Sequence, residues 1–186
     1  AANGYKLDNG ITLQGLEAIQ APTLPNGKTQ YDLWNLTFGI MPGSIGETSK
    51  VAVFAGVAIL LGSGIGNWRI MLSMLLGCAF MGITFNLLYD FGVTDYGFLS
   101  VPWYYHLIIG SFLFAMAFMA TDPVTASGTP AGKLIYGFMI GAVGMIVRVL
   151  NPAYPEGWML AILFMNVFAP LIDHVVLQQN IKRRLS

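Results

Sequence analysis

EGWMLAILFMNVFAPLIDHVVLQ, residues 156–178, is an apolar run long enough to cross a membrane as a single helix. A helix needs about 20 predominantly apolar residues to span the hydrocarbon, and the only carboxylates in this run are those of Glu156 and Asp173. Four further runs of similar length precede it, at roughly 48–66, 67–91, 103–121 and 132–150. These runs predict an all-α membrane protein with five transmembrane helices.

The composition agrees with a membrane protein. Of the 186 residues, 55% are hydrophobic and 10% are charged, whereas about a quarter of the residues in a soluble domain are charged. Lipid, rather than charged side chains, solvates the outside of a membrane protein. The nine basic and nine acidic residues balance, so no basic excess indicates a nucleic-acid partner. The single Cys78 excludes a disulfide framework within the chain and a CxxC metal site.

The chain divides into two regions. Residues 1–46 are polar and rich in turn residues, which predicts a loop domain outside the lipid. Within it, residues 30–41 (QYDLWNLTFGIM) predict a short re-entrant or interfacial helix, because this segment is too short to span. Residues 47–186 form the five-span region. The chain opens at Ala1 in polar sequence without an initiator Met, and we expect further spans upstream.

Basic residues near the ends of the runs predict the orientation. Lys182–Arg184 directly follow the last run, which places the carboxyl terminus in the cytoplasm. Counting back through the spans, Arg69 and Lys133 fall on the same side, whereas Lys50 and Arg148 fall outside. The amino-terminal region is then periplasmic, in a multi-pass protein of the bacterial inner membrane.

Asp173 is the clearest candidate for chemistry, because a charge inside a span is expensive. Asn166, Pro170 and Asp173 fall on one helix face. Pro170 has no amide hydrogen, so the carbonyl of Asn166 loses its helical partner. This all-oxygen set suits a hard cation. The alternatives are an interhelical hydrogen bond or a pair with a buried Arg.

Asp122 follows the third run and precedes Pro123. By the orientation above it lies at the same end as Asp173. Two carboxylates at one entrance to a cation path would raise the local concentration of cations there. The alternative is that Asp122 is a helix-terminus cap with Thr125 and Ser127.

Other polar residues inside the runs favour structural roles. Arg148 is expected to snorkel to the interface or to pair with an acid, and Asn86 to make an interhelical hydrogen bond. The lone histidines His106 and His174 have no partner pattern for a metal. Two glycine pairs with small-xxx-small spacing predict close helix packing: Gly62 with Gly66, and Gly137 with Gly141.

The turn PGSIGET, residues 42–48, places glycines just before a span. Free amides at such a helix start can hold an anionic group such as a phosphate. The residues concerned are Gly43, Ser44, Gly46 and Glu47. The alternative is a capped re-entrant turn without a ligand.

Several stretches resemble the family of the B-type membrane component of the sodium-translocating NADH:quinone oxidoreductase. The resemblance covers about residues 31–185, and the turn GSIGET is shared with the D-type component of the Rnf ferredoxin:NAD oxidoreductase. The stretches are FGIMPGSIGE (38–47), FMATDPVTAS (118–127), RVLNPAYPEG (148–157), FAPLIDHVV (168–176) and NIKRRL (180–185).

The resemblance implies a membrane subunit of a respiratory complex. That complex passes electrons from NADH through flavins and iron–sulfur centres to ubiquinone and exports sodium. Its B-type component has ten spans in two inverted five-span repeats, similar to urea transporters, and this chain resembles the second repeat. The resemblance also implies the partners, namely the other subunits, sodium ions and the lipid bilayer. The fragment alone is not expected to be active.

The resemblance further implies cofactors and sites. The family esterifies FMN to a Thr in a Ser-Gly-Ala-Thr motif, which this chain lacks, so the attachment is expected upstream of Ala1. Riboflavin is the second implied flavin, and ubiquinone is the substrate of the complex. The turn at 43–47 is the expected flavin pocket. Asp122 and Asp173 match acidic positions implicated in sodium uptake, with Asn166 beside them. The alternatives are an Rnf-type protein, a solute-channel repeat similar to urea transporters, or a structural scaffold.

Overall fold

The computed structural model describes residues 5–6, 12–13, 33–39, 48–92, 97–151 and 157–185. Near the amino terminus, strands β1 (Tyr5–Lys6) and β2 (Thr12–Leu13) pair antiparallel, with Tyr5 opposite Leu13. The helices are α1 (Leu33–Phe38), α2 (Lys50–Gly62), α3 (Trp68–Asp90), a 3₁₀ turn (Gly97–Ser100), α4 (Trp103–Ile108), α5 (Phe112–Phe114) continued by a π-helix (Ala115–Met119), α6 (Pro130–Leu150) and α7 (Gly157–Leu185).

Three helices are long and apolar enough to cross a membrane. They are α3 with 23 residues, α6 with 21, and the 28-residue segment Gly157–Arg184 of α7. At 1.5 Å per residue, each exceeds the hydrocarbon thickness of about 30 Å. These three helices correspond to the second, fourth and fifth predicted runs, and the membrane class of the chain is confirmed. Pro170 lies inside α7 without ending it.

The first predicted run forms a shorter helix than expected. Helix α2 has 13 residues, which is about 20 Å. It begins after Ser49, whose side chain accepts a hydrogen bond from the Ala52 amide, and a turn at Gly64 (φ +74°) follows it. Helix α1, within the predicted segment 30–41, ends at Gly39 (φ +83°), where a β-carbon would lie 2.8 Å from the Thr48 carbonyl. Helix α1 therefore ends beside the start of α2.

The third predicted run is interrupted. Helix α4 stops at Ile108, and Gly110 has a φ of +85° before α5 begins at Phe112. A left-handed φ is natural for glycine, which has no β-carbon to clash. Because Gly110 takes this conformation, residues 103–121 form a broken helix instead of the continuous span that hydropathy predicts.

Helices α3 and α6 run parallel and pack backbone to backbone. A β-carbon on Gly77 of α3 would overlap the Phe138 carbonyl, and one on Gly141 of α6 would overlap the Met74 carbonyl. Close packing at Gly141 is thus confirmed. The same expectation for Gly62 is wrong, because no atom of the described residues lies within 4 Å of a β-carbon there. Gly62 is at the end of α2, where the chain turns away from its neighbours.

Helix α7 runs antiparallel to α6. The Trp158 ring fills the space above Gly144 near the end of α6, and Tyr136 near its start hydrogen bonds to Asn166. Fully buried large side chains form the core of this bundle: Met74, Phe112, Tyr136, Ile140 and Trp158. Large apolar residues are exposed on the outer side of α7, among them Leu163, Val167 and Leu171.

The helix directions define a basic end of the bundle. Helices α3 and α6 start there and α7 finishes there, so Arg69, Lys133 and Lys182–Arg184 lie at one end. The predicted grouping of these residues is confirmed, and the membrane side that they face stays a prediction. Because α3 ends away from the basic end and α6 starts at it, the broken segment 97–129 must return through the bundle.

Candidate functional site

Asp122 lies in the loop that leads from the broken helix into α6. Its Oδ2 accepts a hydrogen bond of 2.8 Å from the Thr125 hydroxyl, and its Oδ1 accepts one of 3.3 Å from the Val124 amide. The Asp122 carbonyl also accepts from the Ala126 amide at 3.1 Å. Asp122 therefore caps a turn, with Thr125 as the partner that the capping alternative expects.

The hydrogen bond from Thr125, followed by that from the Val124 amide, lowers the pKa of the Asp122 carboxyl below its ordinary value. Both donors favour the charged form. Since the folded pKa is depressed, this cap stabilises the turn above the unfolded pKa and is lost as the pH falls through the folded pKa. Asp122 is thus anionic at neutral pH.

Asp173 reaches from α7 to the residues that begin α6. Its Oδ1 accepts hydrogen bonds from the Ser127 hydroxyl (2.6 Å), the Thr129 hydroxyl (2.6 Å) and the Thr129 amide (3.0 Å). Its Oδ2 accepts one of 2.7 Å from the Gly128 amide. The carboxylate therefore ties α7 to the loop that carries Asp122.

These contacts favour a structural role for Asp173 over direct cation binding. We call the carboxylate and its partners Ser127, Gly128 and Thr129 the clamp, because they hold the loop before α6 against α7. Amide hydrogens repel a cation, and both hydroxyls are placed to donate to the carboxylate. A hydrogen-bonding role for Asp173, one of the alternatives left open by the sequence, is thus present, with the loop before α6 and its N-cap Thr129 as partners. Within the described ranges, no group of three or more His, Cys, Asp or Glu residues is arranged to hold a metal ion.

Gly132 leaves room for this clamp. A β-carbon at Gly132 would overlap the hydroxyls of Ser127 and Thr129 and lie 2.7 Å from Oδ1 of Asp173. Thr129 is also the N-cap of α6, because its hydroxyl accepts a hydrogen bond of 3.1 Å from the Gly132 amide.

We expect Gly132→Ala to loosen the clamp, since the added methyl must displace at least one of the hydroxyls. Overpacking of this kind destabilises by about 1–3 kcal/mol, and the melting temperature of the purified complex should fall by a few degrees. Gly64→Ala is unsuitable as a control, because the positive φ of Gly64 would strain an alanine. Gly62→Ala is the control, because the added methyl contacts no atom of the described residues. Equal melting temperatures for the 132 and 62 variants would contradict the packing described.

Asn166 does not join Asp173 in an oxygen cluster in this structure. The Tyr136 hydroxyl donates to Oδ1 of Asn166, and Tyr136 is fully buried. Seven positions separate Asn166 from Asp173, which is about 10 Å along a helix. The structure thus brings Asp122 and Asp173 to one loop and gives Asn166 a separate partner. A sodium role for these residues stays a prediction.

The predicted flavin-pocket residues Gly43, Ser44, Gly46 and Glu47 lie outside the described residues, and so does most of the NPAYPEG stretch. The histidines take structural positions: His106 is 3% exposed, and His174 pairs with Gln178 at 2.9 Å.

Asn86 anchors the far end of α3. Its amide donates to the carbonyls of Leu99 and Val101, both at 2.8 Å, and its Oδ1 accepts from the Trp103 amide. The predicted hydrogen-bonding role of Asn86 is confirmed, with loop backbone and the first residue of α4 as partners.

Sequence reasoning missed a buried polar contact at the break in the third run. Lys50, expected outside the lipid, is 4% exposed, and its ammonium donates to the Gly110 carbonyl at 3.0 Å. The Arg148 guanidinium lies beside the same glycine, 2.8 Å from where a β-carbon would be. Arg148 therefore points at the break in the third run. The sequence feature that could have indicated the break is Gly110, a glycine in the middle of the apolar run 103–121.

Known proteins similar to this chain indicate its family. The sequence profile of the NQR2, RnfD, RnfE family matches residues 6–182. The B-type component of the Na(+)-translocating NADH-quinone reductase of Stutzerimonas stutzeri is 52% identical over the whole chain, which covers 44% of that protein. The corresponding protein of Chromohalobacter salexigens is 45% identical over the whole chain, which covers 43% of it. For Pseudomonas aeruginosa the identity is 51% over 88% of the chain and 39% of that protein. The chain spans less than half the length of these relatives.

Proposed function

The chain belongs to the NQR2, RnfD, RnfE family, and from that premise we propose that it is the carboxy-terminal part of a membrane subunit of a sodium-translocating NADH:quinone oxidoreductase. The names and identities of the relatives support this reading. In the complex, electrons would pass from NADH through FMN and riboflavin to ubiquinone while sodium is exported. The FMN-bearing Thr would precede Ala1, and Gly43–Glu47 would shape the flavin pocket.

We further propose that all five segments cross the bacterial inner membrane and that the carboxyl terminus is cytoplasmic. The two interrupted segments, α1 with α2 and α4 with α5, support one repeat of an inverted-repeat transporter fold similar to urea transporters. Such folds build their sites from discontinuous helices near the middle of the bilayer.

The observation that supports the sodium role is the loop before α6, at the basic end of the bundle, with which both Asp122 and Asp173 are associated. Asp173 binds residues 127–129, and the same loop presents Asp122. We assign Asp122 to attracting cations to a cytoplasmic mouth and Asp173 to holding the loop in place. An anionic side chain at a mouth raises the local cation concentration.

Asp122→Asn should raise the sodium concentration for half-maximal quinone reduction by about threefold, because one negative charge at the mouth is lost. The change is measured in the purified complex as turnover against sodium at constant ionic strength. Asp90→Asn is the matched control, because it removes a carboxylate from the end of α3 that lies away from the basic end and from Asp122. An unchanged sodium response in the 122 variant would remove Asp122 from the cation path.

An Rnf-type protein is the second candidate, because the matching family description includes RnfD. The electron donor separates the two. Turnover with NADH and a quinone supports the first proposal, and turnover between ferredoxin and NAD supports the second. Sodium-independent solute uptake without any redox partner would instead support the solute-channel reading.

A further inference from the structure

Two interrupted helices meet inside the bundle. Helix α2 begins at Lys50, and the ammonium of this residue donates at 3.0 Å to the carbonyl of Gly110, between α4 and α5. Lys50 is almost completely buried. A basic side chain shielded from water inside a membrane bundle is a functional candidate by default.

The contact lies well away from the basic end of the bundle. From Lys50 to Gly62 along α2, and from Gly110 to Asp122 along the broken helix, the chain covers twelve positions. Each path is about 18 Å long at the helical rise, which is a little over half of the hydrocarbon thickness. The two paths run side by side, since the Phe118 ring fills the space that a β-carbon on Gly56 would occupy.

The chemistry of the contact is that of a cation position. A carbonyl at the end of an interrupted helix is an oxygen ligand of the kind that coordinates sodium in transporters. Here the ligand is taken by the Lys50 ammonium. The Arg148 guanidinium approaches Gly110 as well, from α6. Two side chains with positive charge, from different helices, therefore converge on one break, and a fixed positive charge opposes the passage of a free cation.

We propose that the break at Gly110 is a binding position for a monovalent cation and that the Lys50 ammonium occupies it. Lys50 must leave the Gly110 carbonyl before sodium can pass between α2 and the broken helix. This inference rests on the proposed function, because it needs sodium as the transported ion. Asp122 lies at the other end of the same path. A cation gathered there would travel along the broken helix and meet Lys50 after about 18 Å.

The test uses the complete complex in proteoliposomes and measures passive ²²Na⁺ uptake without NADH. Lys50→Gln keeps a hydrogen-bond donor for the Gly110 carbonyl and removes the charge, so passive uptake should rise about tenfold. Lys50→Arg keeps the charge and should leave the leak at the wild-type level. Lys182→Gln removes an exposed lysine from the last turn of α7 and is the matched control.

Each outcome decides the proposal. A leak in Lys50→Gln that is absent from the Arg and 182 variants supports it. An assembled Lys50→Gln complex with wild-type uptake overturns it, and so does loss of assembly in the Gln variant beside an intact Arg variant, which would give Lys50 a folding role. NADH-driven ²²Na⁺ uptake by the wild type tests the proposed function separately, because it does not depend on Lys50 variants.

Discussion

Asp173→Ala is expected to lower the free energy of unfolding of the chain by about 2 kcal/mol and to impair sodium-dependent turnover together with it. The carboxylate accepts four hydrogen bonds from residues 127–129. Hydrogen bonds to a charged group are each worth about 1.5–3 kcal/mol, but Asp173 is only half-buried and water replaces part of the loss. The loop that carries Asp122 loses its attachment to α7, so the maximal rate should fall as well as the sodium affinity.

The comparison between Asp173→Ala and Asp122→Ala isolates the clamp. Each variant removes one carboxylate that hydrogen bonds to the loop between the broken helix and α6, but only Asp173→Ala breaks the hydrogen bonds between this loop and α7. Thermal unfolding and sodium titration of both complexes are the measurements. A 173 variant with wild-type melting and a purely raised sodium requirement would instead make Asp173 a direct cation ligand.

Gly77→Ala is expected to prevent stable packing of α3 on α6. The added β-carbon would overlap the Phe138 carbonyl, and a backbone atom cannot rotate away as a side chain can. The cost should exceed the usual overpacking range of about 1–3 kcal/mol. We therefore expect little assembled complex, measured as the yield of intact complex extracted from membranes in mild detergent.

Gly62→Ala is the matched control for this variant. It makes the same chemical change on α2, at a position where no atom in the described part of the chain lies within 4 Å of the added β-carbon. Alanine is a better helix former than glycine by up to about 1 kcal/mol, so the yield should equal or exceed that of the wild type. A normal yield for Gly77→Ala would show that α3 and α6 can separate without harm.

Hydropathy predicted most of the fold, because long apolar segments in lipid have few alternatives to the helix. It placed both ends of α3 and α6 and the start of α7 within two residues, whereas α7 continues seven residues beyond the predicted end at residue 178. It did not predict the break at Gly110, because a mean over about 20 residues hides one backbone turn. It also overestimated α2, which stops where Gly64 adopts a left-handed conformation.

The site was predictable in location and less so in chemistry. Counting spans put Asp122 and Asp173 at one end, and the structure joins them through one loop. The partners of Asp173 are hydroxyls and amides 44 to 46 positions away. No local pattern reveals such contacts, since they depend on the antiparallel packing of α6 and α7. Lys50 was misplaced for a similar reason, because its partner Gly110 is 60 positions away.

The parallel pairing of α3 and α6 constrains the order of events during synthesis. These helices are not consecutive, so the glycine-lined side of α3 has no partner until the ribosome has delivered Pro130–Leu150. The break at Gly110 is also synthesised before α6, the helix whose Arg148 guanidinium lies beside it.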